Sequence, residues 1–500
     1  MSRKKKLMLN TVTGISKQFI KMICGFILPR FMLVYFGSST NGLVSSIDHY
    51  LGFISLLDMG VGSVVLSNLY KPLANKDNDQ ISRIIKSSQR FFRTLAFIFL
   101  VYIAILVVVF PTIINTKYDS LFSVSLLLII AISTFVEYYF GITNKLLLDA
   151  DQKSYIPLSL MIITISLNTI IAIVLMKLGA GIHVVKLASA AVYVVRPICQ
   201  ELYIKAHYSI NKKIELQGEP IKQKWNGFSQ HLAAVVCQNI DVVALSFFST
   251  MENVSVYSLY YTVANGVEQV VMTAATGVES LFGNMLANNE INTLNRTFSR
   301  IEWFVHNVVT VIFTIAAITI VPFMMVYTRG ITDAEYRQPL FGALLLAAYA
   351  AMCLRVPYFR IIKAAGHFKQ TQNGAYIAAT INIVITLFLV SRFGLIGAAV
   401  GTLLALTFHT CYFVWYLNSN IMFRPIRYFI FYILIDAAVV ITSTILSRGF
   451  ILGSITYISW ILLAIEVGLV TLASSIVINL LFCRRQVLDL WRIIIEKSQL

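Results

Sequence analysis

Apolar residues in this 500-residue chain come in runs of twenty or more, each closed by clustered charge or by Gly, Pro and Asn. A hydrocarbon core about 30 Å thick takes about 20 helical residues to cross, so each run predicts a membrane-spanning helix. Taking runs and breaks in order places spans at 8–35, 42–70, 92–114, 120–148, 156–176, 183–203, 228–248, 254–286, 303–327, 338–363, 371–390, 395–417, 428–446 and 455–482. The expected fold is an all-α polytopic membrane protein of about fourteen transmembrane helices. The first run continues from Leu7 to Phe36 without a small-residue cleavage pattern, so it is expected to stay as helix one and not to be removed as a signal peptide.

Composition agrees with that pattern. Mean hydropathy is +0.77 and charged side chains make up 13%, against about 25% in soluble domains. A net charge of +17 raises the question of nucleic acid, and the placing of the basic residues answers it. Of the 40 Lys and Arg, 27 fall in the N-terminus, the alternate loops 71–93, 149–155, 204–227, 287–302, 360–370 and 418–427, and the tail. The opposite loops hold only Lys117, Lys177, Arg329, Arg337, Arg392 and Arg448. The positive-inside rule then puts both termini in the cytoplasm and favours fourteen spans over thirteen, since an odd number would scramble the sorting. No nucleic-acid partner is expected; contact with anionic membrane lipids is a by-product of the charge.

Catalytic machinery is missing from the motifs. There is no Walker loop, no G-x-S-x-G and no loop long enough for a soluble active site, so neither an enzyme nor an ATP-driven pump is expected. The six cysteines are scattered without C-x-x-C or Cys/His spacing, which supports neither a disulfide framework nor a metal site. No cofactor is called for beyond a possible coupling ion, H+ or Na+.

An internal repeat organises the spans. The end of span four, Leu147-Leu148-Asp149-Ala150-Asp151-Gln152-Lys153, aligns 215 positions later with Ile362-Lys363-Ala364-Ala365-Gly366-His367-Phe368, and at the same offset Gly179 falls on Gly394. The expected plan is an N-lobe over 1–203, a basic cytoplasmic linker at 204–227, a C-lobe over 228–427, two extra spans within 428–483 and a tail at 484–500. Six spans, a linker, six spans in the same orientation and two more make a parallel-repeat transporter plan, with the substrate path between the halves.

Charges inside the spans are the functional suspects, because an ionised group at the bilayer centre costs about 2.5–3.5 kcal/mol on insertion scales. Seven are basic (Lys17, Lys21, Arg30, Lys145, Lys186, Arg196, Arg355) and eight acidic (Asp48, Asp58, Glu137, Asp241, Glu268, Glu279, Asp436, Glu466). Spans one to six hold six of the basic groups, whereas spans seven to fourteen hold five of the acidic ones. Lys17 and Lys21 share a helix face with Asn10, Gly14 and Gly25, polar or small for four turns. Lys21 reads either as a cavity-lining cation or as half of an ion pair with Asp48, Asp58 or a second-half carboxylate. Pro29 is expected to kink the helix beside Arg30, which otherwise points away from the lysines and could anchor at the outer interface. Lys145, Arg355, Arg360 and Lys363 lie toward cytoplasmic ends, where snorkelling is the commoner explanation. Asp241, beside Gln238-Asn239, and Glu268 and Glu279 are candidates for a proton or sodium relay, since a carboxylate taken out of water holds a cation more tightly; a polar packing network is the other reading.

Local motifs resemble a known family. Asn41-Gly42-Leu43, then Leu56-Leu57-Asp58-Met59-Gly60-Val61-Gly62, then Leu69-Tyr70-Lys71-Pro72-Leu73-Ala74 are similar to the N-G-L, L-A-E-L-G-I-G and L-Y-K-P-L-A segments of Wzx-type polysaccharide flippases. In the second half Asn239-Ile240-Asp241 with Ser246, Val256-Tyr257-Ser258 with Tyr260-Tyr261, and Gly283-Asn284-Met285-Leu286-Ala287-Asn288-Asn289 resemble further segments of that family. Asp58 stands where Glu is usual, and Asn289 where an acidic residue is common.

That resemblance implies the multidrug/oligosaccharidyl-lipid/polysaccharide exporter fold: two six-helix lobes in parallel repeat plus two C-terminal helices. It also implies the cargo, an undecaprenyl-diphosphate-linked oligosaccharide carried from the cytoplasmic to the outer leaflet of a bacterial inner membrane for capsule, O-antigen or other surface polysaccharide. Polysaccharide polymerases and glycosyltransferases are the implied partners. On this reading Lys17, Lys21, Arg30, Arg196 and Arg355 are the substrate-binding candidates, and Asp58, Asp241, Glu268 and Glu279 the ion-coupling ones. The alternative is a multidrug antiporter of the same superfamily, which would present an acidic first-lobe pocket to organic cations.

Overall fold

The computed structural model describes residues 3–58, 61–114, 117–211, 213–214, 228–274 and 278–488. Most of the expected linker, residues 212 and 215–227, and the tail beyond 488 lie outside them. Among the described residues regular structure is helical throughout. Thirteen helical stretches are long and apolar enough to cross a membrane, and the first covers 52 residues. A helix rises 1.5 Å per residue, so such a stretch is about 78 Å long, more than twice the hydrocarbon thickness.

Helix α1 (Arg3–Gly52) therefore crosses twice, and it turns at Gly37, whose φ of 78° and ψ of 174° leave the helical region. Only glycine enters that part of backbone space without strain. Contacts on either side show the reversal. Asn10 Oδ1 accepts from Tyr155 N at 2.8 Å and Lys177 Nζ lies 6.0 Å from the Phe31 ring centre, so the first half runs alongside α6 (Tyr155–Lys177). Past the turn, Ser46 bonds Ser246 at 2.7 Å, His49 bonds Asn239 at 3.0 Å and Ser55 O meets His231 Nε2 at 2.5 Å. The second half thus runs antiparallel to α8 (Phe228–Phe248). Thirteen hydrophobic stretches make fourteen crossings. The expected kink at Pro29 is corrected: the helix continues through it, and Gly37 is the break.

The rest of the first unit, residues 1–255, alternates between two ends. A 3-10 turn (Phe53–Asp58), α2 (Val61–Asn75) and α3 (Asn78–Ile113) follow α1. Then come α4 (Ser120–Val136), a π turn (Glu137–Gly141), α5 (Ile142–Ala150), α6, α7 (Ile182–His207) and α8. At one end Thr40 bonds Tyr118 at 2.6 Å, His183 bonds Ser125 at 2.8 Å, and Glu252 takes Ser39 Oγ at 2.5 Å and Lys117 Nζ at 2.8 Å. At the other, Asp151 gathers Lys6 at 3.2 Å, Lys153 at 2.7 Å and Tyr208 Oη at 2.6 Å. Ser82 and Lys86 of α3 meet Asn211 and Ile214 at this second, basic end, where Lys153 also meets Tyr208.

Residues 256–500 form the second unit, so α8 packs with the first. It contains most of α9 (Met251–Ala274), then α10 (Val278–Ala287), α11 (Ile291–Tyr327), α12 (Pro339–Leu354), α13 (Val356–Ala364), α14 (Gln372–Phe393), α15 (Leu395–Asn420), α16 (Arg427–Leu446) and α17 (Tyr457–Phe482). Its element order from α10 to α15 repeats that of α2 to α7. The third helix of each set is interrupted: between α4 and α5 by the π turn, and between α12 and α13 at Arg355, just before Pro357, which has no N–H for the ladder. Each break is followed by a nine-residue helix and a left-handed residue, Gln152 or Gly366. Asn168 of α6 bonds Tyr193 of α7 at 3.2 Å, as Asn382 of α14 bonds Thr402 of α15 at 3.2 Å. The two extra helices are tied to α11 by Asn479 with Trp303 and Asn307 at 2.8 and 2.6 Å and by Asp436 with His306 at 2.5 Å.

Several helices begin well before their apolar windows. Asp77 caps α3 by accepting from Gln80 N at 2.9 Å, and Ile81, Ile84 and Ile85 carry a buried stripe through a charged surface turn. Amphipathic turns such as these are too polar on average for a span search.

Candidate functional site

Helix faces decide what the in-span lysines of α1 can meet. At about 100° per residue, exposed Met8, Val12, Ile15, Phe19, Ile23 and Ile27 form one apolar stripe, which is the lipid side. Gly14, Lys17, Lys21 and Gly25 lie about opposite, on the far side of the helix. That face is also unpacked: a methyl group added at Gly14 or Gly25 would meet no atom within 4 Å. The lysines therefore face open space on the side of α1 away from that stripe.

Lys17 is within electrostatic reach of both Lys21 and Lys145 of α5. Asp48, on the returning half of α1, is exposed though its neighbours Ser46 and Ile47 are fully buried, and it acts on Lys186 of α7. Tyr193 of α7 feels Asp48, Arg196 and Cys24 together, so it joins both halves of α1 to α7. Arg196 donates to Glu137 in the π turn at 2.8 Å, while its Nε is buried without a partner among the described residues.

The charges thus form two groups: Lys17, Lys21 and Lys145, with Asp149 acting on Lys145 from the basic end, and, around Tyr193, Asp48, Lys186 and the Arg196–Glu137 pair. Among the described residues no carboxylate closes an ion pair with Lys17, Lys21 or Lys145. Ammonium groups held together without counter-charges repel one another, and an anion entering that space relieves the repulsion.

The remaining site residues are dispersed. Arg30 is half-buried on α1, beyond the lysine face. Asp241 is buried in α8, and the side chain of Asp58 lies outside the described residues. In the second unit, buried Glu268 accepts from Asn265 at 3.3 Å and is within electrostatic reach of Arg355. Arg355 in turn donates to Nδ1 of His409 at 2.5 Å. Glu279 is held by Arg360 at 2.9 Å and Lys363 at 3.2 Å. Glu302, buried among α11, takes Arg424 at 2.5 Å and the hydroxyl of Tyr358.

Sequence reasoning counted Asp48 and Lys186 among the in-span charges without assigning them to the substrate or coupling set, gave Lys145 to snorkelling and did not single out Tyr193; the structure shows Lys145 as the exposed position between buried Asn144 and Leu146.

Comparison with known proteins yields no matching family description and no curated relative. Solved structures do match in fold. The lipid II flippase MurJ in an inward closed conformation superposes with a TM-score of 0.73 at 13% identity, over 96% of this chain and 100% of its own. A multidrug resistance MATE family transporter of the MOP superfamily, inward-facing, gives 0.58 at 12% identity over 80% of this chain and 93% of its own. A MOP superfamily transporter from Pyrococcus furiosus gives 0.58 at 12% over 83% and 95%. This multi-pass membrane chain thus has the fold of MOP-superfamily transporters, shared with a lipid flippase along nearly its whole length.

Proposed function

We propose that this protein is a flippase for an undecaprenyl-diphosphate-linked oligosaccharide, serving cell-surface polysaccharide synthesis. It would move its cargo without transforming it, from the cytoplasmic to the outer leaflet of a bacterial inner membrane with both termini cytoplasmic, alongside a polymerase and glycosyltransferases. The observation that carries the reading is that Lys17 and Lys21, on the face of α1 opposite the lipid stripe, lie with Lys145 and close no ion pair among the described residues.

A lipid diphosphate must bring its negative charge through hydrocarbon, where its lost hydration has to be replaced. Ammonium and guanidinium groups in a wet recess replace it with charge-assisted hydrogen bonds. Lys17 and Lys21 would hold the diphosphate, Lys145 would meet it near the basic end where cargo enters, and Arg196 would contact the glycan or an acidic sugar, whereas Arg30, on an unkinked helix and at the angle of the lipid stripe, would serve as an outer-interface anchor. Coupling by alternating access falls to the carboxylates. Glu268, buried beside Asn265, is the first choice for the H+ or Na+ site, with Arg355 set to answer its change of charge. Asp241 and Asp58 are retained as further candidates, and Glu279, held by two cations, as a contact that opens and closes.

The Pyrococcus furiosus transporter is described as having a binding pocket of reverse polarity that suggests a different function. A cationic helix face repels the organic cations of a multidrug antiporter, which leaves that alternative without support. The test replaces Lys17 and Lys21 by Ala, singly and together, and follows export of surface glycan in cells with the amount of protein in the membrane measured in parallel. The single variants are expected to lose at least about tenfold in export, on the order of 1.4 kcal/mol, and the double variant all of it. Normal export by the double variant at normal abundance would remove the proposal.

A further inference from the structure

A second cationic site lies on the outer flank of the first unit, away from the lysine face of α1. A groove of about 460 Å³ opens between the start of α3 and the segment after α7, lined by Ser82, Lys86, Gln89, Arg90, Arg93 and Phe97 together with Ile210 and Asn211. Three of its lining residues are cations and none is acidic. The groove wall is built and not fortuitous: Asn211 N donates to Ser82 Oγ at 3.0 Å and Lys86 Nζ to Ile214 O at 2.6 Å. Arg93 is set over the ring of Tyr139 at 4.9 Å, and Phe97 meets the same ring edge-on at 6.1 Å.

Continuity along α3 identifies the occupant. Lys86, Arg90 and Arg93 fall on one helix face at spacings of four and three, and the same face continues as Phe97, Val101, Ile105 and Val108. These four are exposed at 56%, 62%, 56% and 73%, so they stand against acyl chains. The face changes from cation to hydrocarbon at the groove, as a membrane does at its headgroup level. A soluble anion would use the upper half and leave the apolar half unexplained; a phospholipid uses both.

We infer that this groove binds the headgroup of an anionic phospholipid from the leaflet on the basic side, its phosphate between Arg90 and Arg93 and an acyl chain along Phe97 to Val108. Basic pockets beside spans at that depth suit such headgroups. The site is independent of the flippase reading, since it touches neither Lys17 nor Lys21. Arg93 and Phe97 do reach Tyr139, in the π turn that carries Glu137, so an occupied groove would brace that turn.

The experiment uses the full-length protein in nanodiscs of phosphatidylcholine with a small fraction of phosphatidylglycerol, released into the gas phase for native mass spectrometry. The parent protein is expected to retain phosphatidylglycerol over phosphatidylcholine at least about fivefold above their bulk ratio. Arg90→Gln/Arg93→Gln, which changes two exposed side chains, is expected to remove that preference. Charge-reversed Arg90→Glu should do so alone, and both variants should keep the parent's thermal unfolding in pure phosphatidylcholine. Equal enrichment in parent and variants would overturn the inference. Loss of bound phosphatidylglycerol to millimolar inorganic phosphate would also overturn it, by showing a site for soluble phosphate.

Discussion

Arg196 and Glu137 stand 59 positions apart on α7 and the π turn, and their pairing depends on an absent side chain. A Cβ at Gly141 would come within 3.0 Å of the Glu137 carboxylate, so glycine leaves the space in which that carboxylate turns toward Arg196. Gly141→Ala is therefore expected to shift the Glu137 carboxylate by a few tenths of an ångström and weaken the 2.8 Å bond, destabilising the protein by about 1 kcal/mol, the worth of a weakened hydrogen bond. Thermal unfolding of the purified variant in detergent checks this; an unchanged midpoint would show that Glu137 can move away at no cost. Glu137→Gln should leave Arg196 with a weaker partner while avoiding the clash, which separates charge from crowding. Lys21 teaches the complementary lesson. Its place opposite the lipid stripe is a matter of helical angle, readable from the chain, whereas the company of Lys145 is not, because 124 positions separate the two.

Among elements, the first half of α1 is mostly exposed or half-buried along its length and is held at its start. It presents the lysines, with Lys6 and Asn10 fastened to the turn that follows α5. At the centre of that anchor, burial works against the Asp151 charge, but hydrogen bonds from Lys153, Tyr208 and Lys6 outweigh it and hold the carboxyl below its ordinary value of 3.8. Burial, and after it the same contact, raise the Tyr208 hydroxyl. A carboxyl whose pKa is depressed by folding stabilises the fold above its unfolded value, and that stability is lost as pH falls through the lower folded value. Asp151→Asn is thus expected to lower the unfolding temperature at pH 7, with the gap from the parent closing as pH drops below about 4. A gap that stays constant from pH 7 to pH 3 would mean that the anchor does not work through charge. The paired interruptions, the π turn before α5 and the Arg355 turn before α13, set short helices at matching places in the two halves. One has a proline to mark it; the other has only Gly141, which is why the apolar pattern read each as a single unbroken span.

At the scale of the molecule, the alternation of crossings can be tested directly. In a cysteine-free background, Lys177→Cys and Lys117→Cys are expected to react with a membrane-impermeant maleimide in intact cells, and Lys76→Cys and Lys369→Cys only after permeabilisation. Identical labelling at all four would contradict both the fourteen crossings and the orientation. Much of this architecture was legible in the chain. Run length against bilayer thickness yields the spans, and the sorting of 27 basic residues to alternate loops makes their number even. Offsets such as Gly179 to Gly394 announce the repeat. These are local or additive quantities: hydrophobicity sums along a helix, and charge sums along a loop. The company of each in-span charge is neither. Glu137 is paired with Arg196, and Glu279 with Arg360 and Lys363, while Lys17, Lys21 and Lys145 gather with no ion pair among the described residues. Distances across a bundle come from how helices rotate and pack, and electrostatic energy changes steeply with those distances where water is scarce. The sequence alone determined that charges lie inside the membrane; only the tertiary structure decided which are neutralised and which are left facing open space.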